Sequence, residues 1–103
     1  LNNINNVEFE LGLVEDKLPE LLKKDQIDTI IFDPPRKGLD EQTIELLKES
    51  ELEKIIYISC NPATQARDLK SLKKKYQLIE VQPVDLFPQT YHIESVALLK
   101  LKN

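Results

Sequence analysis

The chain has 103 residues, enough for one small domain, and 41% of them are hydrophobic, which suits a packed core. Its formal net charge of −4 argues against this segment alone gripping nucleic acid through bulk electrostatics. One cysteine and one histidine exclude an internal disulfide and argue against a metal site.

No apolar run reaches the length of a membrane span, and no secretory signal pattern opens the chain. The expected compartment is therefore the reducing cytoplasm, with no membrane partner. The chain starts at Leu1 and contains no methionine, so it is expected to be an excerpt of a longer protein.

In chain order, NVEFEL (residues 6–11) alternates apolar Val7, Phe9 and Leu11 with acidic residues, the period of a strand, and Gly12 breaks it. DKLPELLKK (16–24) predicts a short helix with Leu18, Leu21 and Leu22 on one face and Pro19 in its first turn. DTIIFDPP (28–35) is a buried-type strand stopped by two prolines, with Gly38 supplying a turn. From Asp40, DEQTIELLKES has a plausible N-cap and puts Ile44 and Leu47 on one helical face. KIIYIS (54–59) is a second continuous apolar strand.

Asn61 and Pro62 then form an N-cap and first-turn pair, opening a helix with a stripe of Ala63, Ala66, Leu69 and Leu72. The basic residues Arg67, Lys70, Lys73, Lys74 and Lys75 read as a solvated face, with a phosphate-contacting edge as the lesser reading. YQLIEVQPVDLF (76–87) is a strand whose Pro83 marks an edge or a bulge, and HIESVALLKLK (92–102) is the last strand, antiparallel to it. The order β-α-β-α-β-α-β-β predicts an α/β sheet with helices on its faces and no internal repeat or linker.

Ligands of open parallel sheets bind beyond the carboxyl ends of the strands. Asp33 ends one such strand, Cys60 ends the next, and Glu94 begins the antiparallel one, so all three are expected on one rim. The positive end of the helix that follows Cys60 favours a thiolate there, which can add to an electrophilic carbon while a carboxylate across the site removes a proton. Plainer readings carry more weight from the residues alone. A lone cysteine after an apolar strand is usually a small buried hydrophobe, Glu94 an exposed acid, and Asp33 the cap of the Pro34–Pro35–Gly38 turn.

Three stretches change that balance. DPPRKG (33–38), IIYISCNPAT (55–64) and VDLFPQTYHIE (84–94), with ARDL (66–69) between the last two, resemble the RNA uracil-5-methyltransferase family. Its members make 5-methyluridine in transfer and ribosomal RNA from S-adenosylmethionine. The resemblance implies the C-terminal part of a Rossmann-like class I methyltransferase sheet, an α/β fold with an antiparallel last strand. It implies that Cys60 is the nucleophile toward C6 of the uracil and Glu94 the base that removes the C5 proton. Asp33 is implied to lie at the cofactor and target base, and Pro34, Arg36 and His92 on the substrate side; Arg36 supports its loop or contacts RNA. His92, Gln89 and Thr90 would belong to the loop that presents Glu94.

The family's glycine-rich cofactor turn has no counterpart here, since the only glycines are Gly12 and Gly38. NVEFELGLVED resembles the family's third strand and its following loop, with Gly12 to Glu15 near the adenine. Residues 1–103 are thus expected to be a partial catalytic domain, lacking the first cofactor-binding strands and any upstream RNA-binding domain, and inactive alone. Residues 1–12 would have lost their neighbours, so re-pairing with a second copy or poor order is expected there, and the apolar edge beside Asp33 favours a homodimer. Two other functions stay open: base N-methylation, for which a DPP loop would serve without Cys60, and a non-enzymatic α/β interaction module.

Overall fold

β-Branched and aromatic residues favour a pleated, half-buried backbone, and the runs TIIF and KIIYIS are strands β1 (Thr29–Phe32) and β2 (Lys54–Ser59). The computed structural model describes residues 18–20, 22–23, 27–84 and 94–102. In it β1 and β2 pair in parallel, with Phe32 opposite Tyr57. Two further strands, β3 (Tyr76–Val84) and β4 (Glu94–Leu101), complete a four-stranded mixed sheet in the order β1-β2-β4-β3. The last strand inserts between β2 and β3 and runs antiparallel to both.

Helix α1 (Glu41–Glu49) starts where Asp40 accepts a hydrogen bond from the Thr43 amide at 2.8 Å, and it buries Thr43, Ile44 and Leu47. Helix α2 (Pro62–Leu72) is capped by Asn61, with Pro62 in its first turn. Residues 18–20 and 22 are helical, with Leu18 buried and Leu22 packed against the core. The sequence-predicted strand at 6–11, the residues near Gly12 and the re-paired amino-terminal edge lie outside the described residues, as does the LFPQTY loop.

The core gathers alternate strand residues, Ile30, Phe32, Ile55, Tyr57, Ala97 and Leu99, under Ile44, Leu47 and Leu72 of the two helices. Phe32 and Tyr57 meet edge to face with ring centroids 5.0 Å apart. Among the described residues both helices cover this one face, and the opposite face is only half-covered. Pro83 lies on an edge strand, one of its two expected positions, and the register shift of that strand falls between Leu78 and Glu80. Two expectations are corrected. The β1 run is not buried on both sides, because strict alternation leaves Ile31 62% exposed.

The second correction concerns α2. Ala63 and Ala66 are exposed and Leu69 is half-buried, while the inward face carries Gln65, Asp68 and Leu72. Alanine has little to lose by facing water. The polar residues are held inside because the strands beneath offer them partners, described below.

Among the described residues two buried side-chain oxygens have no hydrogen-bond partner, Glu94 Oε2, taken up below, and the Thr43 hydroxyl oxygen. A buried unpaired hydroxyl is a net penalty. Thr43→Val keeps the shape and the amide bond to Asp40, and it should raise stability by about 1 kcal/mol, read as a higher urea midpoint with an unchanged m-value.

Candidate active site

Antiparallel pairing of β2 with β4 decides what meets at the carboxyl rim of the sheet. Ser59 stands opposite Ser95 as the last pair of the β2–β4 ladder, so Cys60, next after Ser59, and Glu94, the first residue of β4, lie at the same end of the sheet. Phe32 faces Tyr57 one strand over, which brings Asp33 to the same rim just beyond the end of β1. Ile31, Ile58 and Val96 lie on the face the helices leave open, while Phe32, Ser59 and Ser95 are buried. Continued past the strand ends, that alternation would turn Asp33 and Cys60 to the same face as Glu94. All three lie at one end of the sheet; His92, Gln89 and Thr90 lie outside the described residues.

Each residue has its own surroundings. Cys60 is a free, half-buried thiol at the crest of a tight turn. Buried Ser59 closes that turn around it: its Oγ accepts from the Asn61 amide at 2.9 Å and donates to the Asn61 carbonyl at 3.0 Å. Cys60 is therefore not one of the core residues that its apolar neighbours on β2 would suggest. Glu94 is half-buried, and its Oε2 is withdrawn from solvent with no hydrogen-bond partner. Asp33 is exposed, Pro34 is buried, and Arg36 is exposed.

The loop that carries Asp33, Pro34 and Arg36 is docked on α2. Pro35 O accepts from the Gly38 amide at 2.8 Å, closing a turn in which Gly38 takes φ +83°. A Cβ at Gly38 would stand 2.7 Å from both Arg67 Nη2 and Asp68 Oδ2, so glycine is required there for space as well as for angle. Arg67 donates to Lys37 O at 2.8 Å and to Asp68 Oδ1 at 3.0 Å. Asp68, only 2% exposed, accepts through Oδ2 from the Leu39 amide at 2.9 Å and from the Tyr57 hydroxyl at 2.6 Å. Gln65 Nε2 donates to Tyr57 O at 3.0 Å and Ser95 O at 3.1 Å, clipping β2 to β4 below the rim.

These α2 residues are what the sequence reading missed. ARDL was noted as part of a motif without a role for its polar members, and Gln65, Asp68 and Leu72 do share a helical stripe through their spacing of three and four. The basic-face reading is corrected in part, because Arg67 belongs to the loop scaffold and Lys75 pairs with Glu51 at 3.2 Å. Lys70, Lys73 and Lys74 are exposed and, with Lys48 and Lys102, border a groove of about 770 Å³ at the opposite end of α2 from Cys60. Among the described residues there is no group of three or more metal-ligating side chains, and no helix is long and apolar enough to cross a membrane.

The mixed α/β sheet has counterparts among solved methyltransferases. The Pyrococcus abyssi tRNA (uracil-54, C5)-methyltransferase, solved in complex with S-adenosyl-L-homocysteine, superposes with a TM-score of 0.64 at 46% identity, over 70% of this chain and 18% of that one. A putative DNA modification methyltransferase of an Escherichia coli prophage shares the fold alone, with a TM-score of 0.51 at 14% identity over 84% of this chain and 30% of that one.

The sequence comparison is more specific. Residues 16–102 match the tRNA (Uracil-5-)-methyltransferase family model, and the chain belongs to that family. It is 50% identical over 103 residues to a Listeria monocytogenes protein described as an uncharacterized RNA methyltransferase, covering 99% of this chain. An Enterococcus faecalis protein of the same description is 54% identical over 101 residues, covering 96% of the chain. The chain spans 22% of the length of each of these relatives.

Two measurements test the scaffold. Asp68→Ala would strand the Tyr57 hydroxyl and the Leu39 amide, and stability should fall by about 3 kcal/mol in urea unfolding. Burial, and then the hydrogen bond to Asp68, push the Tyr57 phenol well above its ordinary value. The folded chain thus keeps this proton to higher pH than the unfolded chain, whose tyrosines ionise near about pH 10. The Tyr57 contribution is full below that pH and is lost as pH rises beyond it. Melting temperatures measured from about pH 8 to 11 should fall less steeply at the alkaline end for Tyr57→Phe than for the native chain.

Proposed function

We propose that this chain is the carboxy-terminal part of the catalytic domain of an RNA uracil-C5 methyltransferase acting on ribosomal or transfer RNA. The observation that supports the reading is the β2–β4 ladder, which ends at Ser59 and Ser95 and so brings Cys60 and Glu94 to the same sheet end, with Glu94 Oε2 buried and without a hydrogen-bond partner among the described residues. Family membership supports the methyltransferase class and an RNA substrate. The share of relatives that the chain spans supports an active unit larger than these residues, with the chain alone turning over little or nothing.

The chemistry follows from the weak electrophilicity of uracil C6. The target base leaves its stack to reach a rim pocket. The Cys60 thiolate adds to C6, forming a C–S bond and moving electron density through C5 onto the O4 enolate. S-adenosylmethionine supplies the methyl group that C5 then gains. Glu94 takes the C5 proton, the C5–C6 double bond reforms, and the C–S bond breaks to release Cys60. Nucleophile and base must address different atoms of one planar ring, so they come from neighbouring strands rather than from one segment. A Glu94 oxygen with no other partner is free to receive that proton.

The residues present fit one wall of a cofactor site. Asp33 offers an exposed carboxylate at the carboxyl end of a parallel strand, where such sheets bind their ligands, and it would favour positive charge there. Pro34 shapes the same wall. The glycine-rich turn that would complete the site has no counterpart in this sequence. Among the described residues β1 is an edge strand with Ile31 exposed, and this edge is where a preceding strand of the same domain, or a second copy of the chain, would pair.

The test uses the full-length protein, S-adenosylmethionine and RNA carrying 5-fluorouridine, whose C5 fluorine cannot leave as a proton. A denaturation-resistant protein–RNA adduct should form and map to Cys60, and Cys60→Ala should abolish it. On ordinary RNA, Glu94→Gln should slow product release by roughly 10²–10⁴-fold while the adduct accumulates. Methylation that continues in Cys60→Ala would overturn the reading and favour base N-methylation.

A further inference from the structure

Asn61 is engaged at every polar atom it has. Its amide donates to Ser59 Oγ at 2.9 Å, and its carbonyl accepts from the Gln65 amide at 3.1 Å, the first hydrogen bond of α2. Its Oδ1 caps the helix, accepting from the Ala63 amide at 3.1 Å. Its Nδ2 reaches out of the helix to donate to Arg36 O at 3.1 Å. Thr64 Oγ1 lies 2.9 Å from the same carbonyl and 3.1 Å from Asn61 O, so its single proton is shared between them. The capping amide fixes the orientation of the Asn61 side chain, because a reversed amide would set oxygen against oxygen at Arg36.

Capping alone does not call for asparagine. Serine and aspartate cap helices about equally well, but neither supplies an amide donor beyond the cap. The residue next to the Cys60 thiol is thus also the residue that holds the Asp33–Arg36 loop. We infer that Asn61 is a positioning residue: with Thr64 it sets the Asp33–Pro34–Arg36 loop relative to Cys60, so that the wall for methyl donor and base is placed against the nucleophile. This rests on the reaction proposed above. The remaining anchors of the loop, Arg67 and Asp68, act further along at Lys37 and Leu39, leaving Asn61 and Thr64 as the holds at Arg36.

The test compares full-length native protein with Asn61→Ser, Thr64→Val and the double variant. Serine keeps the cap and adds no charge beside Cys60; valine keeps the shape of threonine and removes its hydroxyl. Active sites are counted first, as the fraction of protein that forms the 5-fluorouridine adduct at long times. Turnover on ordinary RNA is then expressed per active site. The adduct-competent fraction and the melting temperature should stay close to native. kcat should fall about tenfold in each single variant and further in the double, with the Kd for RNA unchanged, as misplacement of reacting groups predicts. A merely structural role would lower the active fraction and leave kcat per site at the native value, which would overturn the inference. So would native kcat in the double variant. Native protein that forms no Cys60 adduct and methylates no uridine would instead overturn the reaction itself, and this inference with it.

Discussion

A single buried carboxylate organises the structure. Asp68 is withdrawn from water and joined by the Tyr57 hydroxyl from below, the Leu39 amide from the side and the Arg67 guanidinium from its own helix. A buried charge is tolerable only when its lone pairs are satisfied. Satisfying this one requires β2, α2 and the loop after β1 to take one relative placement. The close approach of that loop also explains why position 38 has no side chain. The core around it is small and ordinary, but the polar centre ties otherwise separate segments into one arrangement.

Above this centre, two geometric rules of the sheet assemble the rim. Parallel β1 and β2 end on the same side, and antiparallel β4 begins there. Continued one step past Phe32 and Ser59, side-chain alternation would turn Asp33 and Cys60 to the same face as Glu94, the one away from the two helices. The proposed site thus draws a thiol and two carboxylates that are far apart in sequence from one end of a sheet that two helices support from behind. Gln65 reinforces the arrangement by bonding to carbonyls of both β2 and β4. A site built on strand ends can hold its groups more closely than one built on free loops.

The turn at Cys60 and the loop at Asp33 are not independent modules. Ser59 shapes the turn, Asn61 ends it, caps α2 and holds the neighbouring loop. The motif stretches around Cys60 and Asp33 therefore describe one interlocked object. For the reaction proposed above, in which the nucleophile would address C6 and the methyl donor C5 of one planar base, this coupling matters more than the strength of any one bond.

Much of this was legible in the sequence. The caps at Asp40 and Asn61, the apolar run of β2, the edge position marked by Pro83 and the antiparallel end of the chain follow from local chemistry: propensity, capping, the missing N–H of proline. The candidate residues Cys60, Glu94 and Asp33 came from motif resemblance and from the rule that strand ends carry sites. What the sequence could not decide was anything set by partners distant along the chain. The insertion of β4 between β2 and β3 depends on which hydrogen-bonding edge is free once the helices have packed. The inward face of α2 went to Gln65 and Asp68 rather than to Ala63 and Ala66, because strand carbonyls, a tyrosine hydroxyl and a loop amide wait beneath the former. Local periodicity records which residues dislike water; only the tertiary structure determines which polar residues find enough partners to leave it.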